Sequence, residues 1–445
     1  MGEVYRNAFL NIGATGAVDS QEGCFRERDY REVFRSIIHK EECLAHLGEG
    51  SQSYRLVEQD FMRDCLLTQP LLKRGWVYQE RLLAPRMLHY GSQQLFWECR
   101  DMSVCESYPT HVMAPLELTT LSSLQKGLEG DEDEAMRRVR GLYHWYSIVE
   151  QYTSMALTRP EDKLIAISGV AQQYNKTLLD DDKYWVGTWQ SDLPGGLCWR
   201  VKGGKGTRPK TFRAPTWSWA SIDGTILGPS QLQETTGRFL VSLRQPMIHY
   251  VDESNPYGPV TSAELEVQTR LVTVQALAQS PNDDHDDDGD GDGVSYVLSI
   301  DGVEIPNSHW YPDETVESDE TDVTCVCFST GKHGLWGVTV KLLTQDSNSE
   351  TSDDSKQHDA EDGKEDALDM AGLSIENEGE EKAPGNKEED DDGAVVIYPY
   401  QMYVRTGAFY IAAADLDDEE WCCPVGPFAE LFAVDLDQEE PFFLV

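Results

Sequence analysis

The sequence predicts an α+β fold: a helical region with short hairpins, followed by a β-rich C-terminal region carrying long acidic disordered insertions. Three observations predict it. From about residue 132 to 155 apolar side chains recur at helical spacing, with Val139, Leu142, Tyr146, Val149 and Tyr152 forming one stripe. Beyond residue 235 that period gives way to short β-prone runs at 239–243, 265–276, 295–300, 323–328, 335–343, 395–411 and 431–434, which suit a β-sandwich or an open, barrel-like sheet. Between these runs lie acidic segments: residues 283–293 hold seven acidic and no basic side chains, 313–322 six and none, and 345–393 nineteen and four. Segments at about 281–293 and 345–393 therefore have the composition of disordered loops, too charged and too poor in aromatics to bury a core.

In chain order, residues 4–8 read as the last turns of an amphipathic helix and 9–14 as a β-run. A short helical candidate at 60–67 precedes Pro70. On the next helix, Leu72, Trp76, Gln79 and Leu83 share one face, which sets a carboxamide inside an apolar stripe. Pro85 stops that helix. Residues 87–90 and 95–99 are β-prone and joined by Gly91-Ser92-Gln93-Gln94, a hairpin with a four-residue loop. Residues 100–131 form a connector with Pro109 and Pro115. Thr158, Arg159, Pro160 and Glu161 fit a capping box for a helix running to about Tyr174, whose buried face holds Leu164, Ile167, Val170 and Ala171. Residues 213–221 read as a strand after Pro215, with Trp217 and Trp219 on one face and Ser218 on the other.

The net charge of −42 repels phosphate backbones and anionic lipid surfaces, so nucleic acid is not an expected partner. No run of about eighteen apolar residues provides a membrane span, and the N-terminus lacks the charged and apolar regions of a secretory signal. Ten cysteines are scattered without CxxC pairs, which reads as reduced, mostly buried thiols in an intracellular, cytoplasmic protein. Cys325 and Cys327 share one face of a strand, and Cys422 and Cys423 are vicinal; neither pair has nearby histidines.

A buried glutamine must be hydrogen-bonded, so Gln79 reads as a polar lock between helix and hairpin. Glu80, with Arg74, Arg81 and Arg86 near it in sequence, suits an ion-pair network between the helix and the hairpin after it. The functional alternative makes Gln79, Glu80 and Arg81 a catalytic group, which needs convergent groups from other segments. Asp288, Asp290 and Asp292 copy the first half of an EF-hand loop, but its twelfth position is Ser299 where calcium needs a bidentate glutamate. No GxGxxG, Walker loop, GxSxG or HExxH occurs. The reading therefore assigns no catalytic, cofactor-binding or metal-ligating residue and no cofactor.

Arg74-Gly75-Trp76, then Gln79-Glu80-Arg81, Pro85-Arg86 and Trp97-Glu98, resemble the block that comes after the HET domain in fungal heterokaryon incompatibility proteins. Met1, residues 4–8, 11–17 and 23–25 resemble a run near the end of that domain; Asp162-Lys163 and Trp217-Ser218-Trp219 resemble later blocks, and Tyr403, Arg405, Gly407 and Phe409 a weaker C-terminal pattern. The resemblance implies that residues 1–25 are the tail end of a HET domain mostly missing here. Residues 26–235 would be the helical HET-associated region and 236–445 the β-rich region. It also implies a role in heterokaryon incompatibility, non-self recognition and regulated cell death, through protein partners. This chain would act as an incomplete scaffold or regulatory region, its motif residues structural. Families of this type resemble TIR domains, and the second implied reading is an NAD-cleaving enzyme with a site near Glu80.

Overall fold

In the computed structural model of the chain, the described residues are 2–28, 37–39, 53–55, 61, 63–99, 101–109, 133–179, 181–229, 238–279, 294–331, 334–343, 401–412, 439 and 441–445. They fall within one contact unit, Met1–Leu343 with Tyr400–Val445. The acidic loops expected at 281–293 and 345–393, the β-run at 431–434, and Cys43, Cys422 and Cys423 lie outside the described residues.

Four α-helices are described: α1 (Gly2–Arg6), α2 (Gly75–Leu83), α3 (Glu134–Thr153) and α4 (Ile165–Leu178). Asp133 caps α3, its carboxylate accepting from the Ala135 amide at 2.9 Å, and Leu142, Trp145, Tyr146, Val149 and Tyr152 form the buried stripe. The helix preceding Pro85 is shorter than its apolar spacing predicts. Residues Pro70–Lys73 form a 3-10 turn, and Arg74 is extended, with φ −95° and ψ 124°, before α2 begins. That break lets the Gly75 amide donate to the Ala156 carbonyl at 2.8 Å, satisfying a helix-terminal donor. It also removes Leu72 from the expected common face; Leu72 packs instead with Phe61, Leu66, Val77 and Phe96 in a separate small core. The capping box expected at Thr158 does not form either. Pro160–Lys163 is a 3-10 turn, and α4 starts after Leu164 with no side-chain cap.

Strands β1 (Asn11–Gly13), β4 (Arg86–Tyr90), β5 (Leu95–Cys99) and β6 (Ser103–Cys105) form a sheet in that order, with β1 parallel to β4. The expected hairpin is β4–β5 with its four-residue loop. Strands β2 (Ile37–His39) and β3 (Ser53–Arg55) pair with each other. Strands β7 (Tyr184–Trp185) and β8 (Thr188–Trp189) make a tight hairpin through Val186 and Gly187, both at positive φ. Gly187 is required there twice over, because a Cβ would also sit 2.6 Å from the Trp219 indole nitrogen. Strands β9 (Arg200–Val201) and β10 (Ile226–Leu227) form a further pair.

Residues 213–221 are not a strand. Ser218 caps a 3-10 turn, Trp219–Ser221, its hydroxyl accepting from the Ala220 amide at 3.1 Å. The Ser218 amide itself bonds back to Pro215. The local turn chemistry of Pro215 and Ser218 thus outcompetes the pattern of alternating tryptophans.

The remaining strands are β11 (Arg238–Phe239), β12 (Ser242–Leu243), β13 (Met247–Tyr250), β14 (Val260–Gln268), β15 (Leu271–Gln279), β16 (Ser295–Ile300), β17 (Val303–Glu304), β18 (Ser308–Pro312), β19 (Glu320–Gly331), β20 (Gly334–Leu342), β21 (Met402–Ala412) and β22 (Pro441–Leu444). Six of them close a barrel, β19-β15-β16-β18-β21-β20 and back to β19, with every neighbouring pair antiparallel. Alternation sends Val323, Cys325, Cys327, Leu335, Phe409 and Ile411 to the barrel interior with Tyr296, Leu298 and Trp310. The opposite face of β19 and β20, carrying Val326, Phe328, Trp336, Val338 and Val340, joins the same core as α2, α3 and α4. One hydrophobic core therefore crosses residue 235. It explains why β20 is apolar without alternation: both of its faces are buried.

Candidate functional site

The hairpin and α2 are tied by charge. Strand alternation places Met87 and His89 of β4 on the buried face together with Phe96 and Glu98 of β5. Arg81 of α2 reaches that face and grips Glu98 through two parallel bonds, Nε to Oε2 and Nη2 to Oε1, both at 2.8 Å. His89 Nε2 lies 2.7 Å from Glu98 Oε2, and its Nδ1 lies 3.0 Å from the Thr15 hydroxyl beyond the end of β1. A hydroxyl, an imidazole, a carboxylate and a guanidinium thus run in line through the sheet. Burial alone would push the Glu98 carboxyl up, but Arg81 and then His89 outweigh it and hold that carboxyl well below the usual range.

The α2–α4 contact carries Gln79. Its Oε1 accepts from the Gly169 amide at 2.7 Å, so the polar lock expected between helix and hairpin is instead a lock between two helices. Gly169 makes it possible, since a Cβ there would sit 2.6 Å from Gln79 Oε1. One turn away, the Trp76 indole donates to Asp162 at 3.1 Å. Beside these bonds is a cavity of about 350 Å³, walled by α1, α2, α4 and the loop holding Asn255 and Tyr257. Glu80 is half-buried and faces Tyr5 of α1; burial raises its carboxyl, opposed by Tyr5 and Arg74.

Lys163 is buried with its ammonium 5.9 Å from the Trp219 ring centre. It donates to the Ile222 carbonyl and lies 3.7 Å from Asp223, which Arg213 also meets at 2.9 Å. Burial, helped by Arg213 and opposed by Asp223, pushes Lys163 down to about 7. Trp217 and Trp219 are both buried, and the Trp219 indole donates to Gly187 at 2.9 Å. Arg405 joins the barrel to the aromatic segments before it: its guanidinium lies over Trp199, donates to the Trp199 carbonyl at 2.5 Å and pairs with Asp313 at 3.1 Å. Arg208 meets the same Asp313 at 2.8 Å.

The motif residues therefore converge in pairs: Trp76 with Asp162, Arg81 with Glu98, Lys163 with Trp219, and Gln79 with a backbone amide. The rest serve the frame. Gly75 is buried where a Cβ would sit 2.7 Å from Leu157, Trp97 and Pro85 are half-buried, Arg74 is exposed, and Arg86 is exposed over the Phe9 ring at 5.0 Å. Thr15 and His89 were not singled out in the sequence. The available signal was parity, because His89 and Glu98 sit at inward positions of a hairpin whose loop length sets its register. Arg213, Asp223 and Asp313 carried no comparable signal. Nor did Asp192, a carboxyl pushed up to about 7 by burial, to which Tyr146 donates at 2.5 Å.

Chemically, the Thr15–His89–Glu98 chain has the connectivity of a nucleophile, a base and an orienting acid. Thr15 and His89 are both 0% exposed, however, and Glu98 is held by Arg81. No substrate atom can lie within reach of the hydroxyl, so the chain fastens β1 to the hairpin. Among the described residues no three His, Cys, Asp or Glu side chains converge as a metal site, and no helix is long and apolar enough to cross a membrane. Ser299, at the twelfth position of the calcium-like sequence, is buried in β16.

No curated protein and no solved structure matches the chain. Residues 1–80, which carry α1, β1 and the start of α2 and run past residue 25, match the model of the family described as Heterokaryon incompatibility protein (HET).

Proposed function

We propose that the chain is a scaffold or regulatory region of a heterokaryon-incompatibility-type protein, linked to non-self recognition and regulated cell death through protein partners in the cytoplasm. Residues 1–25, 26–235 and 236–445 are its three parts in this reading. One observation carries the proposal: Trp76, Gln79, Arg81, Glu98, Asp162 and Lys163 each bond another segment of the same chain. Groups committed in this way hold a frame and leave no reactive set facing solvent.

The NAD-cleaving alternative places a site between Glu80 and the two tryptophans. Glu80 faces Tyr5 and Arg74, whereas Trp217 and Trp219 are buried with Trp199, Gly187 and Lys163. The test is NAD turnover by the purified chain. The scaffold reading expects consumption no faster than buffer. Turnover well above buffer, abolished by Glu80→Ala at an unchanged melting temperature, would overturn it.

A further inference from the structure

The cavity between α1, α2 and α4 lies beside the frame just described and shares Trp76 and Gln79 with it, and its walls have a definite chemistry. Two carboxamides are pre-oriented in it. Gln79 is 2% exposed, and its oxygen is fixed as the acceptor of the Gly169 amide. Gln173 likewise has its oxygen committed, to the Arg6 guanidinium at 3.1 Å. A backbone N–H and a guanidinium can only donate, so in both residues the NH₂ group is the end left over. Neither Nε2 has a hydrogen-bond partner among the described residues. The site thus offers donors whose directions are set before any ligand arrives.

Among the described residues that line it, the charges are already paired. Arg6 meets Glu3 at 3.6 Å as well as Gln173, so the cavity presents a neutral couple, on a chain of net charge −42 that disfavours anions. Two aromatic walls complete it. Trp76 is anchored through its indole nitrogen to Asp162. Tyr257 is stacked on Tyr184 at 5.1 Å and accepts from Asn175 at 2.8 Å. Flat rings, oriented amide donors and no net charge together match a neutral, oxygen-rich ring whose hydroxyls accept and whose C–H faces lie on aromatics. A volume of about 350 Å³ suits one such ring with a small substituent.

We propose that this cavity is a binding site for an uncharged sugar-sized ligand, held by the NH₂ groups of Gln79 and Gln173 against Trp76 and Tyr257. The inference is independent of the scaffold reading, since a scaffold with or without NAD turnover can carry it. The experiment is saturation-transfer NMR on the full chain with glucose, galactose, mannose and N-acetylglucosamine, and with glucuronate as the charged control. At least one neutral sugar receives saturation, with an affinity on the order of millimolar, as for a ligand making few contacts. Gln173→Glu keeps the oxygen and removes the NH₂, so it weakens binding about tenfold or more. Ser168→Phe fills the cavity from a half-buried position and abolishes the signal. The proposal is overturned if all four neutral sugars fail to bind, or if glucuronate binds as well as glucose. It is also overturned if a folded Ser168→Phe protein binds like the parent. Should that variant fail to fold, unchanged binding by Gln173→Glu is the overturning result.

Discussion

Replacing Glu98 by Gln changes one charge in a site of known geometry. The carboxylate is 4% exposed, takes both donors of the Arg81 fork and meets His89. With Gln at this position, the Arg81 guanidinium stays buried with no counter-charge, and one of its two parallel bonds has no acceptor. Stranding one member of a buried ion pair costs about 3–5 kcal/mol, and the variant should lose stability of that order. Replacing both partners by apolar residues, Arg81→Met with Glu98→Leu, should cost less than the sum of the single changes, because no charge is then left unpaired. The assay is equilibrium urea unfolding of the two single variants and the double variant, with slopes compared to confirm that only the midpoint moves.

The pH dependence supplies a second arm. The Glu98 carboxyl lies below its unfolded value, so its contribution is present above the ordinary glutamate range of about 4.3 and is lost as the folded group takes up a proton. The gap between parent and Glu98→Gln should hold steady from neutral pH to about 5 and then narrow in stronger acid. A gap under about 1 kcal/mol at neutral pH, or one that widens on acidification, would refute the assignment of Glu98 as a paired anion.

Two further outcomes are expected. Gly169→Ala forces a methyl against Gln79 Oε1 at a 2.6 Å approach and should cost about 1–3 kcal/mol in thermal or urea unfolding, whereas Ser168→Ala on the same helix should change little. Lys163 is held near 7 by burial, so the unfolded chain binds the extra proton between there and about 10. The stability of the parent relative to Lys163→Met should therefore rise as pH is raised across that interval; a falling difference would show that the buried amine stays charged.

Elements whose cause is local can be read from the residues alone. Pro85 ends α2, four loop residues set the β4–β5 hairpin, and the spacing of Leu142, Tyr146 and Val149 marks the inner face of α3. The sequence also placed Cys325 and Cys327 on one face, now the barrel interior. Pattern failed where a neighbour in space set the backbone. Arg74 breaks the helix because Gly75 bonds Ala156, a residue eighty-one positions later, and the alternating tryptophans at 217 and 219 yield to the turn that Ser218 caps.

Which partner each buried polar group takes depends on the packing of distant segments. Gln79 had to be satisfied, as any buried amide must, but whether by the hairpin or by α4 depended on how closely Gly169 lets two helices approach. The closure of six strands into a barrel was equally beyond local reading. It requires β19 and β20 to meet β15 and β21 around a ring, and such pairings between distant segments leave no mark on the period of any single strand.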